Sequence, residues 1–370
     1  MEFKDAARPE SKDAARPEPK DAARPVLKDA APPDPVVTDP LEGLASDWQA
    51  RAAGYLEPRS ASWLASPPEI ANVKCAMSCH TTFAYMLARP SLAPFVTTAA
   101  ADAVRARFEA RVGESAAGSA VPFYGQNMDD KTTQSHATEA VLNAAALSLD
   151  DLGSGNALSA SSKTALDVMW SWQRGDGTWD WLEFGLEPWE TRNDFGAAIA
   201  ALVAGSVPAQ SSSLQASGTS KLISYVQGRL DSMVLHDRAM ALYARSKLTT
   251  LLQPAQAEKV AAQLAATQLG DGGFSLGAWG QGAIASTVAN RSDGYATAVA
   301  VLALCTGMTD GLKRADVKKA LSWLAHNQAH DGSWPGQSVN ASTEQVQGFM
   351  TDAATAYASL AITQCVGANK

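Results

Sequence analysis

The densest chemistry in the chain is Cys75-Ala-Met-Ser-Cys79-His80, two thiols and an imidazole on six consecutive residues. Thiols that add across porphyrin vinyl groups, followed at once by an imidazole that binds iron, are what covalent c-type haem attachment requires. The usual spacing leaves two residues between the cysteines, and here there are three. Zinc would need a second Cys/His cluster to complete its ligands, and the sequence offers none. The plain alternative is a Cys75–Cys79 disulfide, or two buried thiols, with His80 capping a helix. With haem, His80 is an axial ligand. The sixth position is then open among Met77, Met128, His136, Met240 and Met350, of which His136 is best placed.

A second group is acidic. Glu139, Asp194, Asp237, Asp293 and Asp352 each stand near the start of an apolar, alanine-rich segment. Carboxylates in such places cap helices and complement their positive ends. A subset facing a cavity, with raised pKa, would instead give or take protons. Asp194 and Asp293 are the best candidates for a general acid, followed by Glu139 and Asp352.

Everything then depends on the elements that carry these residues. Apolar side chains at three- and four-residue spacing predict helices near 44–56, 77–89, 95–112, 136–148, 160–173, 194–205, 213–230, 234–247, 254–268, 293–306, 314–328 and 351–364. Strand-like alternation is nearly absent. Three segments repeat one form, Gln-x-x-Asp-Gly-x-aromatic: Gln173-Arg-Gly-Asp-Gly-Thr-Trp179, Gln268-Leu-Gly-Asp-Gly-Gly-Phe274 and Gln328-Ala-His-Asp-Gly-Ser-Trp334. Such repeats dictate a fold before any single residue does. The Gly can close a helix in the left-handed conformation, the Gln can bond terminal backbone groups, and the aromatic can pack on the next repeat. The even-numbered helices are the more apolar and the odd-numbered ones carry the charges, as in Arg314-Ala-Asp-Val-Lys-Lys319. The pattern predicts an inner ring of six parallel helices inside six antiparallel ones. His80, Glu139, Asp194, Asp237, Asp293 and Asp352 would then share one mouth. Trp181 and Trp189 could line it, whereas Trp170 and Trp179 belong to packing. Cys305 and Cys365, at the far ends of adjacent inner helices, could bridge, although two buried thiols are the commoner outcome.

Composition bounds the rest. The chain has 370 residues, 46% hydrophobic, with a formal charge of -8. The acidic balance argues against a nucleic-acid surface. The longest apolar runs fall far short of the ~18–20 residues of a membrane span. Four cysteines in this length are no disulfide framework. From Met1 to about Pro40 the chain repeats Lys-Asp-Ala-Ala at Lys4, Lys12, Lys20 and Lys28 and has almost no large apolar side chains. That predicts a disordered tail over 1–40 and a single helical domain over 41–370.

The repeats resemble the QW motifs of squalene–hopene cyclases and related class II terpene cyclases, which form α/α toroids. A closer resemblance is to a bacterial subgroup of cyclase-like proteins with a cytochrome-c-type haem motif. It is carried by Cys79-His-Thr-Thr with Leu87-Ala-Arg-Pro90, and by Thr138-Glu-Ala-Val-Leu-Asn143. Glu187-Pro-Trp-Glu190 with Gly196-Ala-Ala, Ser292-Asp-Gly-Tyr-Ala-Thr297 and Met350-Thr-Asp-Ala-Ala-Thr-Ala-Tyr357 extend it from about Trp48 to Thr363. The resemblance implies an all-α (α/α)6 toroid with covalent haem c on Cys75 and Cys79. Haem c is attached outside the cytoplasm, so it also implies a periplasmic protein whose signal precedes the given sequence; a cytoplasmic protein without haem is the alternative.

Three functions follow as expectations. The first is a haem-bearing cyclase relative that binds an isoprenoid-like hydrocarbon in the central cavity and oxidises or isomerises it. The second is a c-type cytochrome for electron transfer or redox sensing, with a redox partner protein. The third is an acid-catalysed cyclase. Class II cyclases protonate through a DxDD motif, and no Asp-x-Asp-Asp occurs here; Met128-Asp129-Asp130 is the nearest approach.

Overall fold

Helical periodicity becomes twelve helices of eight residues or more among the described residues of a computed structural model. Those residues are 39–367, apart from 66–68, 71–72, 75–76, 97, 120–128, 210 and 281. Nearly all of the expected tail, Cys75 and Met128 lie outside them. The helices are α1 (Trp48–Ala65), α2 (Thr82–Leu92), α3 (Thr98–Ala116), α4 (Asp129–Gly153), α5 (Ala160–Ser171) and α6 (Asn193–Ser206). They continue as α7 (Gln215–Arg229), α8 (Leu235–Arg245), α9 (Pro254–Ala265), α10 (Gly294–Val301), α11 (Ala315–His326) and α12 (Glu344–Gly367). A single π turn, Leu302–Thr306, prolongs α10. The only paired strands among the described residues are Glu69–Ile70 and Val73–Lys74, two residues each. The largest boundary shift is at the end of α1, which runs nine residues past the expected 56. α4 begins seven residues before the expected 136, and α12 seven before 351. The added turns of α4, Asp129 to Ser135, carry no apolar stripe for the periodicity to report, whereas those of α12 carry Val346, Phe349 and Met350.

The even-numbered helices pack neighbour to neighbour in a ring, α2–α4–α6–α8–α10–α12, and α12 closes it against α2. Each odd-numbered helix packs outside. Burial follows the sequence pattern. Every residue of α10 is buried, as is α6 from Asp194 to Ala204. α7 buries Gln215, Gly218, Leu222 and Val226, one face at helical spacing. The protein is an all-α (α/α)6 toroid.

The repeats do the joining. Each motif Gln donates its amide to its own turn and to the first turn of the next outer helix. Gln173 bonds Gly177 O and Gly218 O, Gln268 bonds Gly272 O and Asp316 O, and Gln328 bonds Gly332 O and Trp48 O. The last of these ties the end of the chain to α1. The motif glycines adopt φ of +94°, +90° and +91° at Gly177, Gly272 and Gly332. A Cβ there would also run into the backbone of the next outer helix, 2.5 Å from Lys221 O at Gly177 and 2.2 Å from Arg51 O at Gly332. The sequence therefore needs glycine twice over, for conformation and for approach. Trp179 and Trp334 are buried and donate their indoles to Met169 O and Leu324 O, 2.7 and 2.8 Å away. Packing was the expected role of Trp179.

Candidate functional site

Asp194, Asp237 and Asp293 stand in the first turn or at the cap of α6, α8 and α10, whereas Glu139 and Asp352 lie two to three turns inside α4 and α12, and all five face partners rather than open space. Glu139 is fully buried and takes both guanidinium arms of Arg111 at 2.6 Å, from α3. Asp352 accepts from Tyr55 (3.0 Å), Arg59 (2.8 and 3.0 Å) and Thr81 (2.7 Å), which pins α1 and the start of α2 to α12. Asp194 accepts the Tyr225 hydroxyl at 2.6 Å, with Arg229 at 3.5 Å. Asp293 is the N-cap of α10. Its oxygens accept the backbone N–H groups of Ala296 and Leu276, both at 2.8 Å. Burial pushes the Asp293 carboxyl up to about 7, against the pull of those donors.

Asp237 belongs to a buried chain that sequence reasoning did not assemble. His236 Nδ1 lies 2.8 Å from Asp237 Oδ1, and His236 Nε2 lies 2.9 Å from the Tyr295 hydroxyl. Trp189 donates its indole to the same hydroxyl at 2.9 Å. With the imidazole proton on Nδ1 facing the carboxylate, the tyrosine donates to Nε2. Burial raises the Asp237 carboxyl, opposed by His236. The four side chains lock the loop before α6 onto α8 and α10. Trp181, expected at the mouth with Trp189, is buried and donates to Trp189 O at 2.6 Å. Aromatic side chains thus close this end. The cavity that reaches it, beside Glu187 and His236, measures about 10 Å³, room for one water.

Cys79 is buried and its pairing with Cys75 falls outside the described residues. The His80 imidazole stacks on Phe349 with centroids 4.2 Å apart and meets Trp63 edge-on at 5.0 Å. Its Nδ1 lies 2.9 Å from Thr81 Oγ1. Desolvation, aided by Arg59, lowers its pKa to about 3, so the ring is neutral. His136, the preferred sixth ligand, stacks instead on Trp172 at 5.6 Å, against α5. Met77, Met240 and Met350 are buried in the core. Among the described residues no cluster of His, Cys, Asp and Glu is arranged to hold a metal ion, and neither cavity touches His80 or Cys79. Around Cys79 and His80 the described side chains pack against one another, and Cys75 lies outside the described residues.

Space lies at the opposite end. A cavity of about 450 Å³ is lined by Leu87 and Pro90 of α2, Leu149 and Leu152 of α4, Leu202 and Gly205 of α6, Tyr243 of α8 and Leu360 and Gln364 of α12. All come from the C-terminal parts of their helices, which shows that these inner helices run parallel. The disulfide Cys305–Cys365, with Cα atoms 5.7 Å apart, joins the ends of α10 and α12 and adds the sixth. The bridge replaces the two buried thiols taken as the commoner outcome. Leu87, Leu149, Leu202, Tyr243 and Leu360 follow His80, Glu139, Asp194, Asp237 and Asp352 by six to ten residues. At 1.5 Å per residue the cavity is ~9–15 Å along the axis from the acidic end. No Asp, Glu, His or Cys lines it among the described residues. Sequence reasoning missed these positions. Their signal, a leucine about two to three turns after His80, Glu139, Asp194 or Asp352, becomes visible only once the helices are aligned.

Solved structures with a similar fold include type II terpene cyclases. MstE from Scytonema, without ligand, superposes with a TM-score of 0.52 at 14% identity, covering 87% of this chain and 99% of MstE. A variant of MstE holding its substrate, geranylgeranyl dihydroxybenzoate, gives 0.50 at 13% identity over 87% of this chain and 98% of that one. Another variant, holding the product merosterolic acid A, gives 0.50 at 15% over 88% and 98%. No protein-family model matches the sequence, and no curated protein matches it significantly. At these identities the likeness speaks for the backbone, and the chain has the α/α toroid fold of type II terpene cyclases.

Proposed function

We propose that this toroid binds an isoprenoid-like small molecule in the cavity at the C-terminal ends of its inner helices. One observation carries the reading: about 450 Å³ of space walled by leucines from four separate inner helices. That volume lies within the ~300–1,000 Å³ of small-molecule sites, and such walls favour an apolar ligand. The fold is that of MstE, which holds a geranylgeranyl-bearing substrate and its product.

Binding is better supported than conversion. An acid-catalysed cyclase needs a strong proton donor on the cavity wall, and this wall supplies no carboxyl, imidazole or thiol among the described residues. Asp293 holds a proton near neutrality but serves as a cap at the other end. Oxidation at a haem, and electron transfer to a redox partner, have the Cys75–Cys79–His80 motif as support and the packing of His80 against them.

The test is equilibrium dialysis with geranylgeraniol, a C20 isoprenoid probe, on the wild-type protein and Leu202→Trp, which fills the cavity. Saturable binding lost in Leu202→Trp is expected; equal uptake by both would overturn the reading. The same samples, incubated with geranylgeranyl substrates and analysed by mass spectrometry, should return no cyclised isomer.

A further inference from the structure

The cavity wall is not uniformly apolar, and its polar groups share one capacity. Tyr243, 3% exposed, donates its hydroxyl to Gln364 Oε1 at 3.1 Å. That bond occupies the amide oxygen and leaves the Gln364 NH2 as a donor. One residue earlier Thr363 lines the same wall, and its Oγ1 is enclosed without a hydrogen-bond partner. An enclosed hydroxyl left unpaired is unfavourable, and a ligand oxygen would satisfy it. Lys247, exposed at the rim, is also a donor. The wall contains no carboxylate to accept from any of them.

Charge narrows the choice. The C-terminal ends of the inner helices meet here, and with them the negative poles of their dipoles. An anion set among those carbonyls is opposed, while Lys247 stands outside in solvent. A neutral oxygen meets the donors without that opposition.

Resting on the cavity reading above, we propose that the occupant is a neutral oxygenated isoprenoid, an alcohol or ketone. Its oxygen accepts from Thr363 and Gln364, and its chain lies along Leu87, Leu149, Leu202 and Leu360. Tyr243 is a positioning residue that fixes the Gln364 amide with its NH2 available.

Dialysis would compare geranylgeraniol, the same C20 hydrocarbon without the hydroxyl, and geranylgeranoic acid. The proteins would be wild type, Thr363→Val and Gln364→Leu, each checked for wild-type thermal unfolding. The alcohol is expected to bind about tenfold tighter than the hydrocarbon, one good hydrogen bond. It should also bind tighter than the acid. Each variant should weaken the alcohol severalfold and leave the hydrocarbon unchanged. Equal affinity for alcohol and hydrocarbon, indifferent to both variants, overturns the proposal and leaves the cavity reading standing. Preference for the acid overturns it too. No binding of any probe to the wild type overturns both.

Discussion

The two ends of the inner ring are built from the same six helices and differ in almost every physical respect. At the N-terminal end Glu139, Asp194, Asp237, Asp293 and Asp352 are buried and bonded, and Trp181, Trp189 and Tyr295 fill the axis. At the C-terminal end the helices part around about 450 Å³ walled by leucine. Both outcomes follow from chain geometry. Loops entering the inner helices carry aromatics and bring polar groups to the positive helix ends, where carboxylates are favoured. The opposite ends leave through short connections and have nothing large to place on the axis. Residues that look most chemical hold the ring together, and those that look plainest make the space.

Substitution should separate the ends. The largest effect is expected at Glu139→Ala, which leaves the Arg111 guanidinium, 5% exposed, without its bidentate partner. Breaking a buried pair costs about 3–5 kcal/mol. Denaturant unfolding should show that loss, with geranylgeraniol affinity unchanged in the folded fraction. A change in affinity without loss of stability would mean that the acidic end takes part in binding.

Cys305→Ser with Cys365→Ser comes next. The bridge closes a 60-residue separation, for which chain entropy gives up to about 4 kcal/mol. Unlike Glu139→Ala, it should also weaken ligand binding, because Thr363 and Gln364 adjoin Cys365 on the same helix. Unfolding and dialysis with and without reductant measure both.

Acid should act on the closed end through His80. Its pKa is about 3 in the fold against 6.5 ordinarily, so the unfolded chain takes up the proton first. Stability is therefore lost as pH falls from 6.5 toward 3. Asp293, raised from 3.8 to about 7, gives the opposite slope, since the fold keeps a proton that the unfolded chain has released. Stability from that group is lost as pH rises from 3.8 to 7. In stability–pH curves His80→Phe should flatten the acid loss and Asp293→Asn the neutral one. Curves that superpose with wild type would show that neither group is desolvated as the packing requires.

The smallest effect belongs to the rim of the cavity. Lys247→Ala should change stability by less than about 0.5 kcal/mol, as expected of an exposed side chain with no ion pair among the described residues. Calorimetry decides it, and a larger loss would show that the rim is not free.

Much of the fold is legible in the sequence alone. Gln173, Gln268 and Gln328 bond Gly177 O, Gly272 O and Gly332 O within their own motifs, because a seven-residue turn is local and its hydrogen bonds are set by spacing. The candidate site was legible in part. The acidic residues lie away from the cavity, yet sequence could not tell a cap or ion pair from a cavity wall, since each puts a carboxylate beside an apolar, alanine-rich segment. Asp237, His236 and Tyr295 form one chain across 59 residues of sequence, and no local pattern announces such a contact.

The sequence by itself determined the helix count, the alternation of buried and half-buried helices, the ring and the turns that join its repeats. These rest on periodicity and on glycine, which act within a few residues. Only the tertiary structure decided which end of the ring is filled. That depends on the volumes of Trp189, Tyr295 and Tyr357 meeting on an axis to which each helix contributes a fraction, and volume at a point is a sum over segments far apart in the chain.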